Sequence, residues 1–299
     1  MVNGIINVYK EKGFTSFDVV AKLRGIFGQK KIGHTGTLDP DATGVLPVCL
    51  GKATKVCELL TDKDKEYEAV MLLGRKTDTQ DISGEVLEEK EVTVSEEEVR
   101  EAVLGFVGEI EQIPPMYSAL KVNGKKLCDL ARQGVTVERK SRKRMIYSIE
   151  ISDISIPRVT FKVACSRGTY IRTLCEDIGT ALGCGGCMEA LVRTRVADFT
   201  LAEAYTINEI EQMVKNHTIG TVIKKTDAVF MQYPAVTAKT EYEKLLYNGN
   251  RMQPEFFCDY QEEYNDSSIR VYDKAGNFIG IYQMDMASFS IKPVKIFME

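Results

Sequence analysis

The chain has 299 residues, 44% hydrophobic and 27% charged, which is enough apolar content to bury a core in one large domain or two unequal ones. No apolar run reaches the roughly 18 residues of a membrane-spanning helix, and the opening MVNGIINVYKEKG is too short and polar for a secretion signal. No membrane partner and a cytoplasmic location are therefore expected. Eight cysteines are too sparse for a disulfide scaffold, and with only His34 and His217 beside it the lone Cys184-Gly185-Gly186-Cys187 is short of zinc ligands, so no metal is expected.

The net charge of −4 argues against a nucleic-acid partner until its distribution is read. Residues 85–111 hold ten acidic residues against Lys90 and Arg100. Residues 121–144 hold nine basic residues, among them Lys121, Lys125, Lys126, Arg142 and Arg144, against Asp129 and Glu138. Such asymmetry between adjacent segments is either one face meant for a polyanion or a merely solvated one.

In chain order, a helix is predicted over about 16–27, with Ser16 as cap, Val19, Leu23, Ile26 and Phe27 on one side, and Gly28 at its end. A strand is read at 67–73. Ser95-Glu96-Glu97-Glu98 is a capping box that opens a second helix, with Val99, Ala102, Val103 and Phe106 as its apolar stripe. Strands follow at 145–151 and 159–165. A third helix is predicted from Tyr170 to Leu182, and a fourth is signalled by Thr206 and Glu209. Beyond about residue 230 the helix signals thin to 240–247, and 269–282 reads as a hairpin turning around Lys274-Ala275-Gly276-Asn277. Helices scattered among half-exposed strands predict an α+β fold on a largely antiparallel or mixed sheet, followed by a small, mostly β appendage.

Residues 33–47, GHTGTLDPDATGVLP, place two carboxylates and a histidine in a stretch that, apart from Leu38, offers little to a core before Val45. It is not a phosphate-binding loop. Six residues separate Gly44 from Gly51 where that loop needs four, and Ala53 stands where it needs Ser or Thr. Asp39-Pro40-Asp41-Ala42-Thr43 spells the DxDxT of a phosphohydrolase nucleophile, but KKIGHTGTL before it is not the hydrophobic strand that such a nucleophile follows. Taken alone, Asp39 is either a turn residue capping backbone amides or a catalytic carboxylate displayed on a loop.

GHTGTLDPDATGVLPVCLGKATK resembles the signature of the bacterial TruB family, the tRNA pseudouridine-55 synthases. KEYEAVMLLGRKTDTQDISGEV (65–86), IPPMYSALKVNGKKLCDLARQG (113–134), CSRGTYIRTLCEDIGTALGCGG (165–186) and ALVRTRVADFTL (190–201) are similar to further family segments, in the same order. One departure stands near the start, where the family has Lys-Pro before Gly and this chain has Lys10-Glu11-Lys12-Gly13. The resemblance implies a pseudouridine synthase fold over residues 1–230, with a basic RNA-clamping insert at about 113–145 and a PUA-like β-domain over 231–299. It implies Asp39 as the catalytic aspartate, Tyr67 as the tyrosine packed on the target base, and Arg172 as the partner of the aspartate. Tyr170 and Leu191 become substrate contacts, and His34 the group inserted where the flipped base stacked.

The chemistry so implied breaks the N1–C1′ bond of uridine, turns the base and rejoins it through C5, without a cofactor. A guanidinium favours the carboxylate form of Asp39 over its usual pKa of about 3.9. The uridine has to leave its stack, at a cost of a few kcal/mol. The implied partner is the T-arm stem-loop of tRNA, met by a monomer. Phosphate contacts are expected from Lys10, Lys30, Lys31, Lys125, Lys126, Arg142 and Arg144, and also from Arg193 and Arg195, and the acidic 85–111 segment is expected to face away. An RNA-binding protein that needs no chemistry and a DxDxT phosphohydrolase are the rival readings.

Overall fold

The computed structural model describes residues 1–298 apart from residue 123. One sheet runs through its main body. In spatial order it holds Gly4–Lys10, Thr43–Leu50, Gly186–Val196, Lys65–Leu73, Arg158–Cys165, Arg142–Ser155 and Gly108–Gln112. Ile32–His34 and Phe199–Thr200 add short strands. Pairing within it is antiparallel except where Thr43–Leu50 meets Gly186–Val196, so the sheet is mixed.

The Lys65–Leu73 strand shows why the sequence folds this way. Burial alternates along it, and Lys65, Tyr67, Ala69, Met71 and Leu73 are all buried on one face. That face joins Leu174 and Ile178 of the Ile171–Ala181 helix in the largest core cluster. The helix lies close. A Cβ on Gly179 would stand 2.2 Å from the backbone nitrogen of Gly186, so glycine on both sides permits the contact. This explains Cys184-Gly185-Gly186-Cys187 as helix-to-strand packing.

The predicted helices are present as Ser16–Phe27, Glu96–Leu104, Ile171–Ala181 and Ile207–Lys215. One cap differs from the expectation. Thr15, not Ser16, closes the first helix, accepting from the Asp18 amide while Asp18 accepts from Thr15. Ser16 is buried, and its hydroxyl accepts from the amide of Leu38 at 2.9 Å.

The acidic segment does not turn away from the basic one. Gly108–Gln112 pairs directly with Arg142–Ser155, Glu109 bonds Lys143 at 2.7 Å, and Glu111 accepts from the Ser141 hydroxyl at 3.1 Å. Arg142 and Arg144 belong to the central sheet. Within the basic segment, the paired strands Lys121–Val122 and Lys125–Lys126 and the short Leu127–Ala131 helix stand apart from it.

Ala235–Thr237, Ser268–Tyr272, Phe278–Asp285 and Ser290–Ile296 form a separate four-stranded sheet. The expected hairpin lies within it, its turn held by Asp273, which accepts from the Asn277 amide at 2.8 Å. Phe278, Phe297 and Phe230 stack and tilt on one another and pack against Ile5 and Val45 of the main sheet.

Candidate active site

The 33–47 loop is tied down on several sides. Leu38 is buried in the main core beside Tyr67 and Leu191, and its amide is taken by Ser16. The carbonyl of Pro40 accepts from the Gly13 amide at 2.9 Å and from the Lys10 ammonium at 3.0 Å. Gly44 then leaves the loop with φ 106°, and a Cβ there would stand 2.3 Å from the carbonyl oxygen of Arg193. Only glycine lets the chain return against that strand.

Among the described residues the Asp39 side chain caps no backbone amide. Its carboxylate takes both arms of Arg172, Nε to Oδ2 at 2.9 Å and Nη2 to Oδ1 at 3.4 Å. Burial pushes the Asp39 carboxyl above its ordinary value; Arg172, the next largest influence, opposes this, and nearby Asp81 adds to the rise. Arg172 sits in the first turn of its helix, 5% exposed, and also donates to the carbonyls of Thr79 at 3.0 Å and Tyr117 at 2.8 Å. One guanidinium thus draws three distant segments together around the carboxylate.

A cavity of about 220 Å³ opens beside this pair, walled by Tyr67, Tyr170, Ile171 and Leu191. It falls below the roughly 300–1,000 Å³ of sites for drug-sized ligands, and suits one planar base. Burial pushes the Tyr67 phenol up to about 12, so it stays protonated at neutral pH, and the neighbouring Arg193 opposes that rise.

The structure therefore brings Asp39, Tyr67, Arg172, Tyr170 and Leu191 to one cavity. His34 stands outside the lining, half-buried, with Nδ1 accepting from the Gly36 amide at 3.3 Å. Lys30, Lys31, Lys125 and Lys126 are exposed away from it.

Two expected phosphate contacts are overturned. Lys10 is fully buried, and its ammonium donates to the carbonyls of Glu11, Phe14 and Pro40. Arg193 is 1% exposed, its guanidinium spread over the carbonyls of Val45, Thr37 and Gly36. Arg195 is drawn to Glu66 at 2.7 Å. Arg144 is half-buried and donates to the carbonyls of Gly168 and Lys143. Lys65, Arg193 and Ser118 line the cavity, and sequence reading named none of them there. For Lys65 a signal existed, since it stands two residues from Tyr67 on the same strand face.

Residues 24–171 match the TruB family pseudouridylate synthase (N terminal domain), and residues 172–230 match the tRNA pseudouridylate synthase B C-terminal domain. A tRNA pseudouridine synthase B of Lachnoclostridium phytofermentans is 54% identical, covering 99% of this chain and 100% of that protein. One from Alkaliphilus oremlandii is 48% identical over 91% of this chain and 90% of its own. Among solved structures, a Cbf5-Nop10-Gar1 complex contains a chain with TM-score 0.73 and 27% identity, covering 99% of this chain and 85% of that one. An H/ACA RNP bound to a substrate RNA containing 2′-deoxyuridine gives TM-score 0.72 at 25% identity over 99% of this chain and 85% of that one. Fold and matches together define the class, the pseudouridylate synthases, which are isomerases. Within that class, the chain belongs to the TruB family.

Proposed function

We propose that this chain isomerises the uridine at position 55 in the T-loop of tRNA to pseudouridine, with Asp39 as the essential group. The observation that carries the reading is the Asp39 carboxylate, locked by Arg172 at 2.9 Å on the rim of a cavity the size of one base. The uridine flips out of the loop, its ring enters against Tyr67 and Leu191, and the Asp39 oxygen meets the sugar. His34, outside the cavity, fills the place that the base has left. The exposed Lys30, Lys31, Lys125, Lys126 and Arg142 meet RNA phosphates. The reading takes the protein to act on RNA as a monomer, without an obligatory protein partner, in the cytoplasm.

The test is to incubate the protein with unmodified tRNA transcript and map pseudouridine with a chemical probe specific for it. Pseudouridine at the T-loop uridine is the expected result. Asp39→Asn abolishes it while RNA binding stays within a few fold. Turnover retained by that variant removes the proposal, and an RNA-binding protein without chemistry forms no pseudouridine at all. The phosphohydrolase reading loses ground on geometry, because Asp41, its second carboxylate, is exposed and outside the cavity lining. Activity that survives EDTA separates it further, since a DxDxT enzyme needs Mg²⁺.

A further inference from the structure

The cavity carries more positive charge than its carboxylates balance. Asp39 is taken by Arg172, and Asp81 lies 3.7 Å from the same guanidinium. Two further cations line the space. Lys65 is 6% exposed, with Nζ donating to the carbonyls of Thr61 at 2.8 Å and Lys63 at 2.6 Å. Arg193, buried against the carbonyls of Val45 and Gly36, is the other. A Cβ on Gly36 would stand 3.8 Å from Lys65 Cε and 3.8 Å from Arg193 Nη1, so both cations border the loop that carries Asp39. Among the described residues neither has a carboxylate within 4.0 Å. Carbonyl dipoles orient these cations without neutralising them, and buried charge left in that state is costly. The hydroxyl of Ser118, buried at the same cavity, has no hydrogen-bond partner among the described residues. The space is therefore built for an occupant with polar edges and negative charge.

The reaction makes such an occupant. When C1′–N1 breaks heterolytically, the bonding pair stays on N1, and uracil separates as an anion with its charge spread over O2 and O4. C5 then gives a pair to C1′, the C5 hydrogen leaves as a proton, and N1 takes one up, so the change is an isomerisation with no co-reactant. We propose that Lys65, backed by Arg193, stabilises the detached uracil as its anion until C5 meets the sugar. This rests on the reading that Asp39 opens the glycosidic bond. A backbone phosphate would supply the same charge, but the apolar walls of Tyr67, Ile171 and Leu191 fit a planar base better.

The charge state of Lys65 supports the role. Burial, and then Arg193 on the neighbouring strand, push its ammonium down to about 8, while Cys165 across the other strand and Asp64 and Asp62 in the preceding turn pull it back. Tyr67 on the same face stays neutral, and Asp39 is engaged by Arg172. Lys65 is thus charged at neutral pH and loses that charge in mild alkali.

The experiment compares Lys65→Met and Lys65→Arg in the full-length protein on a T-arm stem-loop, reading single-turnover rate from about pH 6 to about pH 10, RNA affinity and thermal midpoint. Lys65→Met is expected to turn over about 100-fold more slowly at saturating RNA, with affinity within a few fold. The wild-type rate is expected to fall above about pH 8; Lys65→Arg keeps most of the rate and loses that alkaline limb. A Lys65→Met protein at wild-type rate overturns the proposal. So does a loss confined to affinity with a flatter salt dependence, which marks a phosphate contact. An alkaline limb unchanged in Lys65→Arg, or a fall in rate that only follows the thermal midpoint, overturns it as well. An active Asp39→Asn protein removes the carboxylate reading instead, and leaves the Lys65 pH profile to be judged separately.

Discussion

Arg172 reaches Asp39 across 133 positions of sequence and closes on it with Nε at 2.9 Å from Oδ2. The pairing does two things at once. It aims the carboxylate, and it works against the burial that pushes the carboxyl above its ordinary value.

Arg172→Gln removes the opposing charge, so the carboxyl rises further. If the ionised form does the work, rate is lost as pH falls through that value, and the acid limb of the profile moves to higher pH in the variant. Turnover at neutral pH is expected to fall about 100-fold. Arg172→Lys keeps a charge but not the two-armed fork, and lies between. Single-turnover rates against pH on a T-arm stem-loop check both; an acid limb that stays in place argues against the carboxylate as the working form.

Gly44 is where the loop turns back into the sheet, with φ 106° and the Arg193 carbonyl 2.3 Å from where a Cβ would stand. Gly44→Ala meets backbone rather than a movable side chain. A cost of about 3 kcal/mol is expected, combining the strained φ with the displaced strand. Thermal unfolding reads it as a midpoint several degrees lower, and turnover falls with it because Asp39 rides on the same loop. A midpoint within a degree of wild type shows that the loop has slack which the geometry does not reveal.

Much of this was legible in sequence because it is local. The boxes opened by Ser95 and Thr206, the alternation of residues 65–73 and the hairpin around 274–277 each depend on neighbours a few positions apart. The pairing of Asp39 with Arg172 was expected only through resemblance, since nothing local joins them. What failed was the sorting of basic residues into those facing RNA and those facing inward. Lys10 and Arg193 both pair with Gly44, from opposite sides of the same strand, and that register is set by contacts between segments far apart. A lysine on a strand reads as exposed until the strands beside it are known. Ser16 was misread for a related reason, because its true partner, Leu38, lies 22 residues away.

The exposed lysines and arginine are expected to supply affinity for RNA. Replacing Lys30, Lys31, Lys125, Lys126 and Arg142 by Ala is expected to weaken T-arm binding and flatten its salt dependence by about 0.7–0.9 log units per log salt for each phosphate no longer neutralised. The rate at saturating RNA stays near wild type, because none of these side chains lines the cavity. Binding titrations at several salt concentrations decide it. An unchanged slope means that these charges face only solvent.

Lys10 makes the opposite test, because its burial turns an expected phosphate contact into a brace. Its ammonium holds the carbonyl of Pro40, the residue after Asp39, at 3.0 Å, and burial pushes it down to about 8 from 10.5. Lys10→Met leaves three carbonyls without that donor, at a cost of about 1–3 kcal/mol, and frees the loop. Turnover is expected to drop about 10-fold on the loosened Asp39, while the salt dependence of RNA binding does not change. The pH dependence of stability has a definite sign. Between about pH 8 and 10.5 the unfolded chain keeps this proton after the folded one has lost it, so wild-type stability gains with rising pH across that window. Below about pH 8 both forms are protonated and the gain is absent. Lys65 adds a similar rise to wild type and variant alike, so the difference between their unfolding curves isolates Lys10. Parallel curves through this window, or a flatter salt slope in the variant, return Lys10 to the surface.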